Sequence, residues 1–142
     1  MKNLVKTSVC AVLAVILVLG LTACGNSVAK KGVWENATYL EDTTFGEGKN
    51  TVVVEVKAEE QSVKLTVNTD AEMVGDALLE HNLIEGEESQ FGLYVKKVNG
   101  ITADFDTDKA YWAFYVDGQY ATKGIDLTEI TKGTEYLLEY TK

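Results

Sequence analysis

Tyr111 to Ala121 reads YWAFYVDGQYA, and this stretch decides the fold. Strand side chains alternate, so Tyr111, Ala113 and Tyr115 fall on one face and Trp112, Phe114 and Val116 on the other. Both faces are apolar or aromatic, which predicts a central strand covered on both sides. Asp117-Gly118 then supplies the positive-φ pair of a two-residue hairpin turn. A return strand begins at Gln119.

Working outward, other period-two runs flank this hairpin. Val52, Val54 and Val56 alternate within Thr51 to Lys57, and Val63, Leu65 and Val67 alternate beyond Ala58-Glu59-Glu60-Gln61. Two such runs across four polar residues predict a hairpin. Thr69-Asp70-Ala71-Glu72 has the Thr-x-x-Glu spacing of a capping box. Val74, Ala77, Leu78 and His81 continue at helical spacing, and Asn82 suits a left-handed helix end. His81 reads as a half-buried packing residue. Glu85 to Gln90 is expected as an acidic loop, Phe91 to Val98 as a strand ended by Asn99-Gly100, and Ile101 to Lys109 as a connection. Glu135 to Thr141 closes the chain as a last strand. Hairpin, helix and later strands in that order predict an α+β fold, a β-grasp-like mixed sheet with one crossing helix. About 95 residues suffice for a modest core without disulfides.

The first residues read as an address. Lys2 and Lys6 precede an apolar run from Val9 to Leu21 that is short for a membrane span. Leu21-Thr22-Ala23-Cys24 resembles the lipobox of bacterial lipoproteins: a branched residue, two small ones, then the cysteine to be modified. The resemblance implies that residues 1–23 are a cleaved signal peptide and that Cys24 carries diacylglycerol. Two acyl chains suffice for stable anchoring. The expected location is extracytoplasmic, on the bacterial cell membrane. Residues 24–50 are expected to be the lipidated N-terminus and linker, with Gly25 to Gly32 a flexible tether. Val33 to Leu40 is expected as an extra strand or a segment packed on the body. The domain is then 51–142.

Charge narrows the partners. The chain holds 13 Lys, no Arg and 22 acidic residues. Without Lys2 and Lys6, 11 Lys face 22 acids, a net charge of −11. Phosphate backbones need clustered cations, so nucleic acid is not an expected partner. Both cysteines, Cys10 and Cys24, precede the body, so no disulfide framework is expected there. One histidine, no nucleophile elbow and no Gly-rich phosphate loop argue against an enzyme.

Two groups of side chains are candidate sites. Trp112, Tyr120, Tyr111 and Tyr115 are candidates for a stacking platform, Trp112 and Tyr120 being expected as the most exposed because they lie nearest the turn. The competing reading is ordinary aromatic packing. Asp104, Asp106 and Asp108 place carboxylates at alternate positions, a pattern calcium favours. An EF-hand loop starting at Asp104 would need Gly sixth and Glu twelfth, where Lys109 and Tyr115 stand.

The body from about Asn50 to Lys142 resembles the transcobalamin-like C-terminal domain family. Three features carry the match: Val74 to Leu79, the Val98-Asn99-Gly100-Ile101 turn, and Tyr111-Trp112 leading through Tyr115-Val116-Asp117-Gly118 to Tyr120-Ala121. The resemblance implies a non-catalytic binding module for a cobalamin-like small molecule, which it would hold or pass to a membrane transporter. In animal cobalamin carriers this domain is half of a two-domain clamp, and the helical half has no counterpart in this sequence. The alternatives are an envelope interaction module that pairs through a sheet edge, or a weak calcium-binding surface protein.

Overall fold

Alternating valines set the first pairing. The computed structural model describes residues 26–142, so the expected signal peptide at 1–23 and the modification at Cys24 lie outside the described residues. In chain order the elements are β1 (Thr43–Phe45), β2 (Asn50–Ala58), β3 (Gln61–Thr69), α1 (Val74–Glu80), β4 (Ile84–Ser89), β5 (Gly92–Val98), β6 (Ile101–Thr102), α2 (Phe105–Asp108), β7 (Tyr111–Val116), β8 (Gln119–Tyr120) and β9 (Tyr136–Thr141). Val52 pairs with Val67, Val54 with Leu65 and Val56 with Val63. All six are buried, because directly opposed residues of an antiparallel pair share one face. The turn is tighter than four residues: only Glu59 and Glu60 lie between the strands, with Glu59 left-handed.

The last strand returns to this hairpin. β9 lies parallel to β2 and antiparallel to β7. The six-stranded order is β1-β3-β2-β9-β7-β8, and a second sheet has the order β4-β5-β6. The architecture is therefore sheet-dominated and mixed, with short helices. Val74, Ala77 and Leu78 of α1 join the same buried cluster as the β2, β3 and β9 side chains. Both Asx-Gly turns form as read. Asp117 and Gly118 take φ 49° and 79°, and Asn99 and Gly100 take φ 49° and 80°. Each pair closes a hairpin, β7 to β8 and β5 to β6.

Several expectations are corrected. β7 is not covered on both sides. Trp112, Phe114 and Val116 share the inner face with Tyr140, Leu138 and Tyr136, whereas on the other face Ala113 is buried but Tyr111 and Tyr115 are half-exposed. Only the two residues of β8 lie beyond β7 in the sheet. The stretch expected as an acidic loop is strand β4 with its exit turn. Its glutamates face outward, Glu87 pairing with Lys96 at 3.2 Å and Glu85 with Lys97 at 3.4 Å.

The capping box does not form. Helix α1 begins at Val74 after Met73, which makes no side-chain cap bond. The Thr69 hydroxyl instead accepts from the Ala71 N–H and donates to Glu80. The Val74 N–H is taken by the Thr128 carbonyl, so a later segment caps the helix.

Val33 to Leu40 packs on the body, as one of its two readings had it, and the rest of residues 26–50, expected as linker, lies against the body too. β1 pairs parallel with β3. Trp34 sits in a 3-10 turn (Gly32–Asn36), fully buried, and its indole N–H donates to the Ala58 carbonyl at 2.9 Å. Asn99 holds the same segment with two bonds to the Tyr39 main chain. Among the described residues no helix is long and apolar enough to cross a membrane.

Candidate functional site

The two sheets leave a cleft where β5 and β7 diverge. Leu93, Tyr94 and Val95 of β5 form one wall, Tyr111, Trp112 and Phe114 of β7 another, and Tyr120 to Ile125 run along the mouth. Its volume is about 170 Å³. A second, adjoining cleft of about 260 Å³ lies under β8 and shares Tyr120, Ala121 and Lys123 with the first. The 3-10 turn Ile125–Leu127 holds the rim to β5, because the Asp126 carboxylate accepts the Leu93 N–H at 2.7 Å.

The cleft gathers three of the four aromatics singled out by sequence. Tyr120 is 61% exposed at the mouth. Trp112 is only 7% exposed, contrary to the expectation of an open indole. Its N–H donates to the Ile101 carbonyl at 3.1 Å, and its ring packs edge-on against Tyr140. Proximity to a turn does not decide exposure; Trp112 lies on the inner face, where strand parity places it. Tyr111 lines the cleft, half-exposed. Tyr115 does not line it. It points to the open face and meets Tyr120 edge-on at 5.5 Å. Perpendicular rings make no flat platform.

Two lining residues escaped the sequence reading. Tyr94, 42% exposed, lies across the cleft on β5, and Lys123 follows β8. Among the described residues Lys123 has no carboxylate partner. Tyr94 was visible as an alternating aromatic in a predicted strand. Its placement opposite β7 depends on how the two sheets meet, which no local pattern encodes.

The three aspartates do not converge. Asp104 is the N-cap of α2: its carboxylate accepts the Asp106 and Thr107 N–H groups and the Thr107 hydroxyl. Those bonds, the Thr107 N–H foremost, hold its carboxyl below the ordinary range. A helical turn rather than a strand separates the three side chains, so Asp106 and Asp108 do not join it in one shell. Among the described residues no group of three or more His, Cys, Asp or Glu side chains is placed to hold a metal ion. The expected calcium ligands Asp104, Asp106 and Asp108 are thus not gathered around one point. His81 packs beside Phe45, its ring centre 5.6 Å away, as a half-buried residue.

A family model described as a domain of unknown function, DUF4430, matches residues 71–142. A candidate metal-binding protein from Ruminococcus gnavus is similar in structure, with a TM-score of 0.62 and 25% identity over 66% of this chain and 98% of that one. Haptocorrin in complex with Cbi is similar with a TM-score of 0.52 and 16% identity, over 69% of this chain and 26% of haptocorrin. The chain thus spans about a quarter of haptocorrin, and that likeness is one of fold. No curated protein matches the chain.

Proposed function

The chain belongs to the DUF4430 family, and we propose that it is a non-catalytic binding module which takes a flat, corrinoid-like small molecule at the cleft between β5 and β7. The observation that carries this reading is the pair Tyr94 and Tyr120, two exposed aromatics at the mouth of a cleft walled by Leu93, Val95, Phe114 and Ile125. Exposed rings beside an apolar wall are what a flat, partly apolar ligand needs. The family resemblance and the haptocorrin likeness supply the ligand class. A cleft of about 170 Å³ covers one edge of such a molecule, so the rest stays open for hand-over to a second protein such as a membrane transporter.

Anchoring belongs to the same proposal. Leu21-Thr22-Ala23-Cys24 marks Cys24 for diacylglycerol, which would hold the module outside the cell membrane. Cys24→Ala should move the protein from the membrane to the soluble fraction. Retention of the variant on membranes would overturn the anchor.

The ligand is tested by titrating the full chain in detergent with cobalamin while following its melting temperature. A ligand that binds only the folded state raises the melting point with occupancy. The expected result is a saturable rise that Tyr120→Ala and Tyr94→Ala reduce. No rise at millimolar cobalamin would overturn the small-molecule reading.

A further inference from the structure

The edge of β7 beyond β8 carries main-chain groups without a strand. The Asp117-Gly118 turn closes on the Val116–Gln119 pair, so Val116 turns its N–H and C=O toward β8. Two residues back, Phe114 faces the same way, and its carbonyl accepts the Ala121 N–H at 2.9 Å. Two residues further back, Trp112 directs its N–H and C=O past the end of β8. No strand pairs there among the described residues. The place they face is the cleft, which Trp112 itself lines.

A donor and an acceptor on one residue of an extended backbone match another extended backbone. The apolar walls Leu93, Val95, Phe114 and Ile125 enclose about 170 Å³, room for one large apolar side chain. Lys123 stands at the same mouth, exposed and without a carboxylate partner among the described residues. In a chain with 22 acidic residues against 13 Lys, an unpaired ammonium beside an apolar cleft favours an anionic group. Phe91, 77% exposed, stands in the turn between β4 and β5.

We propose that the Trp112 edge captures the end of an extended peptide. The peptide main chain pairs with the Trp112 N–H and C=O, its apolar side chain enters the cleft, and its carboxylate sits on Lys123. The proposal is independent of the corrinoid reading, since it stands on main-chain groups and Lys123 rather than on ring faces.

The test uses the full chain in detergent and three probes: N-acetyl-Ala-Val-Leu with a free carboxylate, its C-terminal amide, and the free acid N-methylated at the leucine nitrogen. Trp112 lines the cleft, so tryptophan emission reports binding, with calorimetry as a second readout. The free acid should bind saturably, the amide at least about tenfold more weakly, which is about 1.4 kcal/mol, and the N-methyl probe not measurably. Lys123→Met should erase the acid–amide difference while leaving the melting temperature unchanged. Equal binding of all three probes, or of none, overturns the proposal. Cobalamin binding without peptide binding overturns it too and leaves the small-molecule reading standing. Peptide binding without cobalamin binding does the reverse.

Discussion

The Trp34 indole N–H donates to the Ala58 carbonyl at 2.9 Å, and both residues are fully buried. This bond ties a segment ahead of the first long strand to the end of that strand. Truncating a buried tryptophan costs about 3–5 kcal/mol. Trp34→Ala should therefore lower the urea midpoint sharply. Trp34→Phe keeps most of the volume and removes only the indole bond, at about 0.5–1.5 kcal/mol, because the Gln61 N–H of the closing hairpin pair still serves the Ala58 carbonyl. A midpoint unchanged in both variants would show that residues 26–50 do not stabilise the body.

Asn99 makes the second attachment. Its side chain bonds both the N–H and the C=O of Tyr39, at 2.9 and 2.8 Å, and it is buried. Its φ of 49° is tolerated by asparagine better than by alanine. Asn99→Ala should cost about 3 kcal/mol, combining two unpaired main-chain groups with a strained backbone. Asn99→Gly relieves the backbone and keeps the hydrogen-bond loss, so it should fall between wild type and alanine. Equal melting temperatures for alanine and glycine variants would remove the strain from this account.

What was legible in the sequence was local. Asp117-Gly118 and Asn99-Gly100 dictate their own dihedrals, and Val52, Val54 and Val56 dictate their face. The strand at Ile84–Ser89 was hidden because only Ile84 is buried and five exposed residues follow. The capping of Val74 by Thr128 and the burial of Trp34 join residues far apart in the chain, and no spacing rule reaches that far. The cleft was half legible for the same reason. The sequence named Trp112, Tyr111 and Tyr120 of its lining, while Tyr94 and Lys123 arrive from other elements.

Gly75 and Gly118 should respond oppositely to alanine. A Cβ on Gly75 would stand 2.7 Å from the Asp126 Cα, where main chain must move. A Cβ on Gly118 would meet nothing within 4 Å, leaving only the cost of φ 79°, about 1 kcal/mol. Gly75→Ala gains helix propensity of about 1 kcal/mol and should still be the more damaging by melting temperature. The reverse order would mean that the α1 contact with the Ile125–Leu127 turn yields easily.

Asp104 should shape the acid limb of stability. Its folded carboxyl is held below the ordinary value of 3.8 by the Thr107 and Asp106 N–H groups. A lowered pKa means that the contribution is present above the unfolded value and is lost as pH falls through the folded one. Asparagine caps about as well without a charge. The urea midpoints of wild type and Asp104→Asn should thus differ at neutral pH and converge as pH falls below the ordinary value of 3.8 and through the lowered folded one. A difference that persists at the acid end would assign the effect to packing. Calcium should leave both melting temperatures unmoved, since the Asp104 oxygens are already occupied by α2.

Tyr120→Ala, not Trp112→Ala, is the substitution that separates binding from folding. Trp112 is part of the core, and its indole bond to Ile101 joins β7 to the second sheet. Removing it should cost about 3–5 kcal/mol, so lost binding in that variant would say nothing about contact with a ligand. Tyr120 is exposed, and its aromatic neighbour among the described residues is Tyr115 at 5.5 Å, a pair worth about 0.5–1.5 kcal/mol. Tyr120→Ala should keep a cooperative unfolding transition within that margin. Its tryptophan emission should stay blue-shifted and shielded from iodide, because Trp34 and Trp112 are both buried. If Tyr120→Ala unfolds the chain, the β8 hairpin is a structural staple and the mouth of the cleft is not a free binding surface. If it folds and loses cobalamin or peptide, the mouth is where the ligand sits.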